Sequence, residues 1–286
     1  MNRGYICVAQ NNPETGIDYI SMAYALALSL RNTQTDIKRL SIVTDEKNIP
    51  EKYQEVFDNV IPISNDRAKD EDWKLHNIVD LYEYSPYDET VMLDSDMLFL
   101  TDVSHWWNKL SERELWFTTN TRTYKGTAAP TDTIYRQEFI KNRLPSVYNA
   151  FFYFKKGDTS NELFKMMKLI CENWDDCCDK YLSICRPKVF STDVAFGLAV
   201  KLLGLTEQAT FPELFFPYFT HMKTQNQGWN FSSHKIVEDW TKYTDVSFDR
   251  FHNSLGIKIG TVRQFGPLHY HVKSFMTKEM IKILEE

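Results

Sequence analysis

The amino-acid sequence predicts an α/β protein with a Rossmann-like, mostly parallel central sheet flanked by helices. Three observations carry this expectation. Short apolar strands alternate with amphipathic helices through the first hundred residues, the pattern of βαβ units. The fourth of those strands stops at two carboxylates, Asp94 and Asp96, one residue apart. The 286 residues, 43% apolar and 14% aromatic, are enough for a large core.

In chain order, residues 5–9 read as the first strand. Residues 18–31 read as a helix, because Ile20, Ala23, Tyr24, Ala27, Leu28 and Leu30 recur near helical spacing. A second strand at 40–44 ends in the polar Thr44-Asp45 turn, and Pro50 opens a short helix to about Phe57. A third strand follows at 60–63, a helix at 73–84 ahead of the Ser85-Pro86 turn, and the fourth strand at 90–93. Beyond it the spacing predicts strands at 115–119 and 148–154 and helices at 133–143, 161–173 and 193–203. The stretch 211–273 is rich in aromatics and turns, and a helix at 278–284 closes the chain. No repeat or linker interrupts this order. The expectation is one domain over 1–286, with a nucleotide-binding half at 1–103 and a more variable half at 104–286.

Several classes are excluded. Glycine and proline, 10 each, are too few for a low-complexity or collagen-like chain, and 19 Phe, 15 Tyr and 7 Trp are too many for a solvated coil. The net charge of −6 argues against binding nucleic acid by bulk charge, though not against a local patch. No apolar run is long enough to span a membrane, and the apolar segment at the amino terminus is too short for a signal peptide, so a cytoplasmic location is expected. The five cysteines lack paired zinc-ligand spacing and read as reduced, mostly buried thiols. No obligate protein partner is implied.

Asp94-Ser95-Asp96 lies between apolar runs, at the carboxyl end of a strand, where open α/β sheets bind ligands. Two carboxylates there repel one another and resist burial unless a cation sits between them. Oxygen ligands favour Mn²⁺ or Mg²⁺. Asp-x-Asp alone is common in solvated turns; the flanking apolar strands are what single out this pair.

With those residues in view, the sequence resembles glycosyltransferases of the GT-A, or nucleotide-diphospho-sugar transferase, fold, and among them the glycogenin-like family 8. Trp73-Lys74-Leu75-His76 is similar to that family's Thr-Lys-Leu-His segment. The strand from Tyr148 through Asn149 to Phe154 is similar to its Phe-Asn-Ser-Gly strand, Ser191-Thr192-Asp193 to its Asp-Gln-Asp segment, and the stretch from His269 to Lys273 to its late His-x-x-Gly-x-x-Lys. The sequence departs from the pattern at Ala150 and Phe151, and the interval from His269 to Lys273 is shorter and lacks the glycine. The resemblance implies a UDP-sugar donor and a metal held by Asp94, Asp96 and a third ligand, His269 or alternatively His271. It implies Lys74 and Lys273 near the diphosphate, with Asn149 and Asp193 beside the donor sugar in catalytic roles. Ala9, Gln10, Tyr19 and Ser95 are implied as further donor contacts, with Thr44-Asp45 near the base. Family 8 enzymes retain anomeric configuration. Each polar residue after a strand is equally well a turn or cap.

Residues 121–157 carry Arg122, Lys125, Arg136, Lys141, Arg143, Lys155 and Lys156 against only Asp132 and Glu138, interleaved with Tyr124, Tyr135, Phe139 and Tyr148. Basic groups for phosphates and aromatics for unstacked bases are the composition of a nucleic-acid surface. A solvated helix face over core aromatics has the same composition. Residues 5–107 resemble glycosyltransferases of T-even-like bacteriophages, which glycosylate 5-hydroxymethylcytosine. This implies DNA as acceptor, with Arg122, Lys125, Arg136, Lys141 and Arg143 as its patch, base flipping for access, and the host cytoplasm as location. A glycan, lipopolysaccharide or protein acceptor, and a non-catalytic binding module on the same scaffold, remain the alternatives.

Overall fold

The computed structural model describes residues 2–12, 14–69, 74–129, 136–210, 217–222, 240–251 and 254–286. The chain runs through β1 (Arg3–Val8), α1 (Tyr19–Thr33), β2 (Leu40–Thr44), α2 (Glu51–Gln54) and β3 (Asn59–Pro62). A 3-10 turn at His76–Asp80 leads into α3 (Leu81–Tyr84), β4 (Glu89–Leu93), β5 (Met97–Phe99), α4 (Trp106–Leu110), β6 (Leu115–Thr118) and β7 (Asn120–Arg122). There follow α5 (Gln137–Asn142), β8 (Tyr148–Lys155), α6 (Asp158–Glu172), α7 (Trp174–Tyr181), α8 (Thr192–Leu202) and α9 (Thr206–Ala209). Then come β9 (Tyr218–His221), β10 (Val246–Phe251), β11 (Ser254–Ile259), β12 (Val262–Arg263), β13 (Pro267–His269) and α10 (Lys278–Glu285).

Six strands form the central sheet in the order β3-β2-β1-β4-β8-β6. The first four are parallel, and β8 pairs antiparallel with both β4 and β6. Successive side chains of a strand face opposite ways, and the core divides accordingly. Tyr5, Cys7, Leu40, Ile42, Val91 and Leu93 pack with α1 on one face, whereas Ile6, Val43, Met92, Phe152 and Phe154 pack with α6 and α8 on the other. Both faces are buried, which is why these strands read as near-continuous apolar runs. The Asp18 side chain caps α1 by accepting from the Ser21 N–H at 2.9 Å. A second sheet, β5-β13-β9-β7, and the three-stranded β10-β11-β12 hold the other strands of the described residues.

The first four strands lie within two residues of their expected positions. The helix expected at 73–84 is instead the 3-10 turn followed by α3. In that turn Asn77 spends its side chain on the Arg67 N–H, Asp66 and Gln10, so tertiary bonds hold it rather than a helical ladder. Trp73 lies outside the described residues, as do 133–135 of the helix expected at 133–143. The described part, α5, ends on Arg143 in the left-handed region at φ 54°. The cysteines are all free, but only Cys7 and Cys178 are buried; Cys171, Cys177 and Cys185 are partly exposed, which corrects the expectation of mostly buried thiols. Among the described residues no helix is long and apolar enough to cross a membrane.

Candidate functional site

The strand order reverses between β1 and β4, the crevice where open α/β sheets take ligands. At its edge the Asp94 N–H donates to the Ala150 carbonyl of β8 at 3.1 Å, and the chain turns through Ser95 and Asp96, 5% and 3% exposed, into β5. Pairing of β5 with β13 sets Met97 opposite His269, and pairing of β13 with β9 sets His269 beside His221. The Tyr270 N–H donates to the Asp96 carbonyl at 3.2 Å. This register carries the segment from His269 to Lys273 onto the acidic pair.

There His269 Nε2 lies 3.1 Å from Asp96 Oδ2 and 3.7 Å from Asp94 Oδ2. Lys273 Nζ donates to Asp96 Oδ2 at 2.5 Å. One ligand atom each from Asp96, His269 and His271 lies within 4.8 Å of the others. Desolvation pushes the Asp94 carboxyl up to about 6, against the pull of His269. Burial acts in the same direction on Asp96, but His269 and Lys273 outweigh it and hold that carboxyl well below the usual range. Burial lowers both His269 and Lys273, and the facing carboxylates reverse the sign, so both are raised. Oxygen and imidazole donors converging on one point, with a single ammonium as partial counter-charge, fit a divalent cation.

One residue here escaped sequence reasoning. The ring of His221, 5% exposed, stacks on His269 with centroids 4.7 Å apart and planes 11° from parallel. The Nδ1 of His269 makes no hydrogen bond among the described residues, so His221 and Phe219, the latter 5.9 Å away, orient the imidazole by packing. No spacing in the sequence pairs residue 221 with residue 269; only the strand register does.

Asp193 stands in the first turn of α8, behind the capping side chain of Ser191. Its Oδ1 accepts from the Asn149 N–H at 2.8 Å, and its Oδ2 accepts from Arg136 Nη1 at 3.1 Å. Its charge also bears on Asp94. Two successive residues of β8 thus meet the two acidic segments, Asn149 (6% exposed) through its N–H on Asp193 and Ala150 through its carbonyl on the Asp94 N–H.

Arg136 corrects the expectation of an exposed cation, since it is 1% exposed. Its guanidinium lies 3.5 Å from the Phe139 ring centre and 4.0 Å from that of Tyr148, and it also donates to Ser146 and the Val147 carbonyl. Arg122 lies over the Tyr218 ring at 3.6 Å, Lys125, Lys141 and Arg143 are exposed, and Lys155 pairs in register with Glu89, at the end of β4 far from Asp94.

On the β1 side, Ala9 is buried, with its N–H on the Val43 carbonyl. Gln10, 2% exposed, donates to Asp45 at 3.2 Å and accepts from Asn77, which also donates to Asp66 at 2.8 Å. Asn77 and Asp66 were not singled out in the sequence. Tyr19 is half-buried and presents its ring to the Lys273 ammonium at 5.3 Å. Lys74 lies on the loop that follows β3. Its ammonium donates to the carbonyls of Ala68 and Lys69 at 2.6 and 2.9 Å.

The fold is α/β of the GT-A type, and an acidic and histidine-rich cluster lies at the switch point of its sheet. Among solved structures, mouse xyloside xylosyltransferase 1 is similar over 80% of this chain and 91% of its own, at 12% identity and a TM-score of 0.50. The galactosyltransferase LgtC is similar over 99% and 95%, at 13% identity and a TM-score of 0.49. The glycosyltransferase GlyE of Streptococcus pneumoniae is similar over 74% of this chain and 45% of its own, at 12% identity and a TM-score of 0.42. The first of these likenesses carries the fold assignment. No protein-family model matches the chain, and no curated protein matches it by sequence.

Proposed function

We propose that the chain is a divalent-metal-dependent glycosyltransferase that moves a sugar of the glucose or arabinose class from a UDP-sugar to an acceptor hydroxyl. The observation that carries this reading is the convergence of Asp94, Asp96, His269 and Lys273 at the carboxyl end of β4. Bound there, Mn²⁺ or Mg²⁺ supplies charge neutralisation for the diphosphate leaving group. Asp94, Asp96 and a histidine would hold the ion, and Lys273 would add a positive charge beside it. Gln10, with Tyr19 and the Asp45 side of the crevice, lines the nucleoside end, and Ser95 the turn between. Asp193, locked by Arg136 and the Asn149 N–H, faces the sugar with a fixed carboxylate that orients hydroxyls or stabilises positive charge at the anomeric carbon. Retention of configuration follows from the resemblance to family 8.

For the acceptor, 5-hydroxymethylcytosine in phage DNA is the favoured reading. It rests on the likeness of residues 5–107 to phage enzymes and on Arg122, Lys125, Lys141 and Arg143. The burial of Arg136 favours, as a second reading, a glycan or lipopolysaccharide acceptor that needs no polyanion track. Nucleoside mass spectrometry of hydroxymethylated DNA, incubated with the protein, Mn²⁺ and mixed UDP-sugars, decides between them. A gain of one hexose or pentose is expected. UDP release without a gain on DNA would move the acceptor to the second reading, and no release would contradict the enzyme.

A further inference from the structure

His271 is one of two non-glycine residues among those described with positive φ, at 62°. A side chain there is strained, because Cβ crowds the neighbouring carbonyl, and such strain persists only where the surroundings impose it. The left-handed turn at His271 brings its ring within 6.0 Å of the His269 ring, at 85° to it, and 6.3 Å from that of His221. Two donors each about 2.1 Å from one ion lie at most about 4.2 Å apart. The 4.8 Å spread among Asp96, His269 and His271 closes to that by a few tenths of an ångström of side-chain rotation.

We infer that both histidines ligate the metal, so that His271 is a ligand beside His269 rather than its substitute, and that the backbone strain at residue 271 is retained for this purpose. The inference rests on the metal-dependent reading above and deepens it. Two imidazoles with two carboxylates make the site borderline in character, better matched to Mn²⁺ or Co²⁺ than to Mg²⁺, which prefers oxygen donors and keeps its waters. His221 stacks behind His269 and fixes its ring without entering the ligand set.

The test is Mn²⁺ binding to the purified chain, followed by titration calorimetry and by electron spin echo modulation from ¹⁴N on the bound ion. The wild type is expected to show coupling to two imidazole nitrogens and to prefer Mn²⁺ over Mg²⁺ by about 10-fold or more. His271→Asn keeps a residue that tolerates the left-handed region, so it removes the imidazole alone. It is expected to lose one nitrogen coupling and weaken Mn²⁺ binding by about 10- to 100-fold. His271→Gly relieves the strain, so it is expected to raise the Tm of the metal-free protein while weakening Mn²⁺ by a similar factor. One nitrogen coupling in the wild type, with unchanged affinity in His271→Asn, would overturn the second ligand and leave the metal site standing. Absence of Mn²⁺ binding to the wild type would overturn the metal-dependent reading and this inference together.

Discussion

The Arg136 guanidinium, shut off from solvent between the rings of Phe139 and Tyr148, lies 3.1 Å from the carboxylate of Asp193. A charge taken out of water is tolerable only when paired and hydrogen-bonded, and Arg136 meets both conditions through Asp193, Ser146 and the Val147 carbonyl. The pair fixes the start of α8 against β8, and with it the Asp193 side chain proposed to face the donor sugar.

Replacing Arg136 with Met is therefore expected to cost about 3 kcal/mol in urea denaturation. A loss under about 1 kcal/mol would mean that the aromatic sandwich alone holds this corner.

Lys273→Ala separates leaving-group stabilisation from metal binding. Transfer, read as kcat/KM for the UDP-sugar, is expected to fall about 10²- to 10³-fold. Mn²⁺ affinity should hold or rise, because the substitution frees Asp96 of a competing cation. Parallel loss of both would make the lysine a structural strut.

A stability effect of pH follows from Glu89, buried at the start of β4 with Arg3 at 3.0 Å and the Ser111 hydroxyl at 2.7 Å. Burial alone would raise this carboxyl, but Ser111 and Arg3 lower it below its ordinary value. A folded-state value below the unfolded one gives stability that is present above about pH 4.3 and is lost as pH falls through the folded value. The Tm gap between wild type and Glu89→Gln should thus be full at neutral pH and close on acidification below about pH 4. A gap that widens in acid would contradict the sign.

The first half of the fold was legible because each early strand is apolar on both faces and is followed by its own helix or turn. The acidic pair was legible because a strand end is a place, not only a composition. Arg136 was misread because residue type says surface, whereas its partners at Phe139, Tyr148 and Asp193 come from three different elements. His221 and the joint approach of His269 and His271 depend on the register of β9, β13 and β5, strands too short to show a period of two.

If DNA is the acceptor, Lys141→Glu with Arg143→Glu should flatten the dependence of log K on log salt by about 2, near 0.9 for each lost phosphate contact. An unchanged slope would remove these residues from any DNA track.

The central claim is a metal-dependent UDP-sugar site at the end of β4, and calorimetric titration of UDP with and without Mn²⁺ tests it most directly. The measurement compares the wild type with the Asp94→Asn, Asp96→Asn double variant. Mn²⁺ is expected to strengthen UDP binding to the wild type and to have no effect on the double variant. Equal Mn²⁺ enhancement in both proteins would contradict it.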